Sequence, residues 1–301
     1  MAHHHDQQHN DQHSHRHGHD HADLDWAEMA PLLEAQAELF APMHAQVAAW
    51  LGTHQSEPGL IVDAGSGPGV VSCVLADAFP GARVVAADAS GPLLERARER
   101  ADRLGVADRF STLEAELPGG LADLDYPVDL LWASKSLHHI GDQRAALIAF
   151  AERLAPGGTL ALLEGGLPTR FLPRDIGIGR PGLQSRIDAV EDSWFSGMRA
   201  GLPGAVTEIE DWPALLTAAG LRHTGTRSFL LDLPAPLSDE ARAYLVSYLG
   251  RRRESLADAL DADDVATLDR LLDPDDKASL HHRPDVFVLT ADTVYAAEKP
   301  A

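Results

Sequence analysis

Between Leu60 and Leu163 the apolar residues fall into short continuous runs. Each run ends in a turn signal, and apolar residues at helical spacing follow. Leu60 to Ala64, Arg83 to Ala87, Phe110 to Leu113, Val128 to Ala133 and Thr159 to Leu163 read as five strands. Runs without polar alternation belong to strands covered on both faces. Between them the spacing predicts a helix ending near Phe79, where Pro80-Gly81 stops it. A second helix runs from Ser90, a capping residue with Pro92 in the first turn, to about Leu104. A third runs from Asp142 to Leu154, and Ala155-Pro156-Gly157-Gly158 then reads as a turn. Strand and helix in alternation predict an α/β fold, with a mostly parallel sheet and helices on both faces. Ligands of such sheets lie at the carboxyl ends of the strands. Asp63, Asp88, Glu114, Ser134 and Glu164 sit at those ends, so one cleft is expected there.

The flanks are less regular. In residues 25–56, Leu32, Leu33, Leu39, Phe40, Val47, Trp50 and Leu51 recur at helical intervals, punctuated by Pro31 and Pro42. Two helices are expected, covering the sheet or forming a lid with Phe40, Met43 or His44 turned to the cleft. After Glu164, residues 165–210 are too long for a simple connection, and a helix is predicted from Gln184 to Ala200. Arg170, Arg174 and Arg180 in this stretch either clamp an anionic substrate or pair with surplus carboxylates. A short helix from Asp211 to Ala219, a strand from Thr226 to Leu231, two helices within 238–272 and a strand from Asp285 to Val294 complete the chain. The expected organisation is a tail over 1–24, entry helices over 25–56, and a domain over 57–301 with cap insertions near 165–210 and 234–284.

Composition narrows the partners. Acidic residues outnumber basic ones 46 to 25, a net charge of −21. Nucleic acid and anionic membranes are therefore not expected as partners. The basic run Arg251-Arg252-Arg253 lies in a helical pattern and reads as a solvated face. A single cysteine, Cys73, excludes an internal disulfide and any cysteine-based metal cluster, and its apolar neighbours suit packing. Nothing reads as a membrane span or signal peptide, so a soluble cytoplasmic protein, monomer or homodimer, is expected. Residues 1–24 carry nine histidines among Asp, Gln and Asn, including His13, His15, His17, His19 and His21. Too few apolar residues are present for that tail to fold alone. Its imidazoles suit adventitious binding of a divalent metal.

The first turn carries the chemistry. Ile61-Val62-Asp63-Ala64-Gly65-Ser66-Gly67-Pro68-Gly69 places an acid before three glycines at alternate positions. Glycines let a backbone approach a ligand closely. A dinucleotide fingerprint needs a third glycine at Val70 or Ser72, which is absent. An acid beside the loop disfavours a diphosphate and favours a cationic ligand. Asp88, at the next strand end, suits the two hydroxyls of a ribose.

Asp63 to Gly69, Asp88, the stretch Asp129-Leu130-Leu131-Trp132-Ala133-Ser134-Lys135-Ser136-Leu137-His138-His139-Ile140, and Leu154-Ala155-Pro156-Gly157-Gly158 together resemble the class I S-adenosylmethionine-dependent methyltransferases over about residues 57–165. The resemblance implies a Rossmann-like sheet of seven strands, mostly parallel, with the last antiparallel. It implies S-adenosylmethionine as methyl donor, with Asp63, Gly65, Ser66, Gly67, Gly69, Asp88, Glu114, Ala115 and Ser134 around it. The acceptor is expected to be a small molecule with an O-, N- or C-nucleophile. His138 or His139 is the candidate base for it, and Lys135 and Glu164 are candidate contacts. Two rivals stand beside this reading: a metal-homeostasis protein with a non-catalytic core, and an NAD(P)-dependent oxidoreductase.

Overall fold

The computed structural model describes residues 26–53 and 57–301. The histidine-rich tail, and with it the metal expectation on His13, His15, His17, His19 and His21, lies outside the described residues. Among the described residues no group of three or more His, Cys, Asp and Glu side chains is arranged to hold a metal ion.

Strand β1, Leu60–Ala64, is buried at every position. It pairs in parallel with β2, Arg83–Asp88, and with β4, Val128–Ser134. Beyond β2 lies β3, Phe110–Glu114. On the other side come β5, Leu154–Arg170, then β7, Val288–Glu298, and β6, Arg222–Leu233. The order is β3-β2-β1-β4-β5-β7-β6, with β7 antiparallel to both its neighbours. The seven-stranded, mostly parallel sheet expected from the sequence is present. The strand order turns back between β1 and β4, which opens a crevice beyond their carboxyl ends.

Side chains alternate between two apolar layers. Ile61, Leu130, Trp132, Ala161 and Leu163 face one layer with Phe40, Met43 and Val47. Those three belong to helix α1, Trp26–Gly52. Leu75 of α2, Val70–Ala78, joins them. Leu60, Val62, Leu131 and Leu162 face the other layer with Leu147 and Phe150 of α4, Gln143–Arg153, and Leu216 of α6, Trp212–Ala218. Between α2 and α4 in the chain lies α3, Gly91–Leu104, and after α4 lies α5, Leu183–Gly201. Helices α7, Asp239–Leu256, and α8, Ala262–Leu272, join the first layer through Leu245, Leu249 and Leu268. No helix among the described residues is long and apolar enough to cross a membrane.

Three expectations are corrected. The N-terminal segment is one helix, with Pro31 and Pro42 inside it, where two helices were expected. The buried residues Phe40, Met43, Val47 and Leu51 flank Pro42 on both sides, and that packing outweighs one missing backbone hydrogen bond. Strand β5 continues to Arg170, past the expected start of the insertion at 165, because β7 lies beside it and supplies ladder partners. Strand β5 begins already at Leu154, which pairs with Val128 of β4, so it takes in Ala155 to Gly158; pairing with β7 lengthens β6 to Arg222–Leu233, and the last strand is Val288–Glu298.

Candidate functional site

After β1 the chain turns through Gly65, Gly67 and Gly69, whose φ angles are 79°, 52° and 73°. The N–H groups of Gly65 and Ser66 both donate to the Ala87 carbonyl of β2, at 2.8 and 3.0 Å, and fasten the loop to its neighbour. A Cβ on Gly65 would lie 2.6 Å from Ser136 Cβ, so the loop lies close against the segment after β4. A Cβ on Gly67 would meet nothing within 4 Å. Gly69 differs from both. It caps α2, its Cβ would overlap Ala97 of α3, and it is not on the cleft wall. Its need for glycine comes from helix packing, where ligand contact was expected.

The strand ends and α1 enclose an open cleft of about 910 Å³. Asp63, Gly65, Ser66, Gly67, Asp88, Glu114, Ala115, Ser134 and His139 line it, with Phe40 and His44 from α1. Met43 is wholly buried in the core and does not reach the wall. Glu164 and His138 are off the wall as well. Glu164 is buried. One of its oxygens accepts the Leu137 N–H at 3.0 Å, and the other lies 3.1 Å from His138 Nδ1. The His138 ring meets Phe195 of α5 edge-on at 5.5 Å, and its centroid is 4.2 Å from that of His139. Arg199 of α5 donates to the carbonyls of His138 and Ile140, at 2.8 and 2.6 Å. The two candidate bases are thus separated: His139 is on the cleft, while His138 is held by Glu164 and α5.

The electrostatics follow from burial. Asp63 accepts Ser72 Oγ–H at 2.6 Å, and burial pushes its carboxyl up to about 7. Asp88 is spread between two backbone donors, Gly67 N–H and Ser90 N–H, each at 2.9 Å. This ties the glycine loop to the start of α3 and leaves further lone pairs on the carboxylate. Burial pushes His44 down to about 4, so its ring is neutral near pH 7. Cys73 is buried, and its thiol is pushed up to about 11. The residues fit the expected cofactor. Ser66 Oγ and Ser136 Oγ are buried with no hydrogen-bond partner, space is open at Gly67, and the acids around them suit a sulfonium and an ammonium.

Four further residues on this wall were not brought together by sequence reasoning. Lys135, with φ 50°, places Nζ 2.9 Å from Asp292 Oδ1, and His44 meets Trp132 edge-on at 6.1 Å. The one local signal is Asp292, a charge in the middle of an apolar strand. Of the three arginines Arg170, Arg174 and Arg180, two pair with carboxylates: Arg170 with Asp188, and Arg180 with Asp261 and Asp264 at 2.6 and 2.8 Å. Arg252 and Arg253 pair with Glu191 and Asp269.

A family model described as a methyltransferase domain matches residues 62–160. The chain is 32% identical over 219 residues to a trans-aconitate 2-methyltransferase of Methylobacterium nodulans, covering 67% of this chain and 79% of that one. It is 34% identical over 128 residues to the Streptomyces coelicolor enzyme of the same name, covering 42% of each chain. It is 30% identical over 103 residues to the tRNA 5-carboxymethoxyuridine methyltransferase of Escherichia coli, 34% of this chain and 39% of that one. The last two matches thus span well under half of those relatives' lengths.

Proposed function

The chain belongs to the S-adenosylmethionine-dependent methyltransferases, and we propose that it transfers the methyl group of that cofactor to a small-molecule acceptor bound beside His139. The observation that carries this reading is one acid-lined cleft that joins the glycine loop, Asp88 and His139. S-adenosylmethionine supplies a methyl group already activated by a sulfonium. What remains for the protein is alignment and, for a hydroxyl or amine acceptor, removal of a proton. Gly65, Ser66 and Gly67 would face the methionine portion, Asp88 the ribose, and Glu114 with Ala115 the base. Ser134 would line the passage to the acceptor.

His139 is the base in this reading because it is the one of the two histidines on the cleft. His138 positions it: Glu164 accepts from His138 Nδ1–H and fixes that ring, against which the His139 ring rests at 4.2 Å. Trp132 and Phe40 add aromatic surface to the cleft wall. A small molecule is favoured over RNA because a polyanion would have to enter an acid-lined cleft on a chain of net charge −21.

The test is incubation of the full chain with methyl-labelled S-adenosylmethionine and a cell extract separated into small molecules and RNA. Label in the small-molecule fraction supports the reading, and label in RNA contradicts it. The His139→Ala variant is expected to lower kcat about 100-fold, with cofactor affinity unchanged. An unchanged kcat would remove His139 as base.

A further inference from the structure

Across the sheet from Asp88, the cleft wall carries polar atoms that the fold leaves without partners. Asp292 Oδ2, His44 Nδ1 and Trp132 Nε1 are buried, and none has a hydrogen-bond partner. Asp292 is 3% exposed, His44 6% and Trp132 0%. All three residues line the cleft, and they come from β7, α1 and β4. Buried polar atoms are nearly always satisfied in folded proteins, so three orphans on one wall mark a place where another group completes them. Lys135 stands beside them. Its ammonium is 2.9 Å from Asp292 Oδ1 and 5.6 Å from the Phe40 ring centroid, and its backbone is held in the left-handed region.

The place of this wall in the sheet separates it from the cofactor residues. Asp88 is on β2 and Asp292 on β7, with β1, β4 and β5 between. At the usual strand spacing that is about 19 Å. In-line displacement requires the acceptor on the face of the methyl opposite the sulfur, and in the proposed seat this wall supplies that face.

The chemistry of the four residues specifies a ligand. Asp292 Oδ2 needs a donor, and Trp132 Nε1–H needs an acceptor. A hydroxyl is the smallest group that can both donate and accept. A carboxylate offers no donor to Asp292 and would face it as a like charge. An ammonium offers no acceptor to Trp132. Charge leads to the same answer: the acids Asp63, Asp88, Glu114, Glu116 and Asp292 line the cleft, and its one lysine, Lys135, is already paired. His44 adds no charge near neutral pH. Resting on the methyltransferase reading, we propose that Lys135, Asp292, His44 and Trp132 seat the methyl acceptor, and that they select an uncharged hydroxyl-bearing small molecule over a carboxylate. The chain would then differ in acceptor from the relatives named for trans-aconitate, a tricarboxylate.

The experiment uses the full ¹⁵N-labelled chain saturated with S-adenosylhomocysteine, and reads the indole N–H resonance of Trp132, identified by its loss in Trp132→Phe. Phenol, catechol and cyclohexanol are titrated on one side, citrate and trans-aconitate on the other. The expected result is a saturable shift of that resonance by a hydroxyl compound, with the tricarboxylates silent. In Asp292→Asn the Kd for the same compound should rise about tenfold, while S-adenosylhomocysteine still binds. Lys135→Met is the second variant, at a half-exposed side chain, and carries the same expectation should Asp292→Asn not fold. A shift by citrate or trans-aconitate, a resonance silent to every compound, or an unchanged Kd in the folded variant would overturn the proposal. Failure of S-adenosylhomocysteine to bind the unaltered chain would instead overturn the methyltransferase reading beneath it.

Discussion

Asp63 is a carboxyl kept from water at the start of a glycine loop. Its ordinary value is near 4, and burial raises it to about 7 in the folded chain. The unfolded chain ionises first as pH rises, so this group's contribution to stability falls from about pH 4 to about pH 7 and stays at the lower level above that. A cation bound beside it favours the ionised form. Affinity for S-adenosylmethionine should therefore rise with pH by up to about tenfold per unit below 7 and level off above it. Asp63→Asn should give a flat profile in calorimetry across pH 6 to 8. The glycines of the loop separate in a second pair of variants. Gly69→Ala places a methyl against Ala97 at a left-handed position and should cost about 2–4 kcal/mol in thermal or denaturant unfolding. Gly67→Ala meets open space, so it should cost only about 1–2 kcal/mol of backbone strain but weaken cofactor binding.

At the scale of elements, α5 braces the segment that carries both histidines. Arg199 holds the carbonyls of His138 and Ile140, and Val206 N–H donates to Gly141 O at 3.1 Å. Arg199→Ala should lower kcat while leaving cofactor affinity intact, a split that steady-state kinetics and calorimetry resolve together. Elsewhere in the insertions, Asp264 on α8 accepts from Arg180 and Arg186 and is 1% exposed. Asp264→Ala should cost about 2–3 kcal/mol in denaturant unfolding, the scale of lost charged hydrogen bonds. The elements also mark how far the sequence could be read. Strands β1, β2 and β4 were legible because a strand buried on both faces is a bare apolar run. The lengths of β5, β6 and β7 were not, because each is set by a partner far away in the chain. Helix α1 hid its continuity because local rules break a helix at Pro42, while the packing of Phe40, Met43 and Val47 keeps it whole. The glycine turn and the place of Asp88 at a strand end on the cleft were legible since both are local features. The wall formed by His44, Lys135 and Asp292 was not, since three distant elements bring it together.

At the scale of the molecule, charge and architecture act together. The switch between β1 and β4 opens the cleft, the acids at the strand ends set its sign, and α1 supplies one of its walls. An acidic chain repels polyanions and gathers cations, which suits a sulfonium donor and disfavours RNA. The central claim is that this cleft binds S-adenosylmethionine through the glycine loop and Asp88. Calorimetry of the full chain with S-adenosylmethionine, with NADH as the comparison ligand and Asp88→Ala as the comparison protein, tests it most directly. The predicted result is one cofactor bound per chain, no heat from NADH, and an affinity at least about tenfold weaker in Asp88→Ala, the scale of one charged hydrogen bond. An absence of S-adenosylmethionine binding, or binding that Asp88→Ala leaves unchanged, would contradict it.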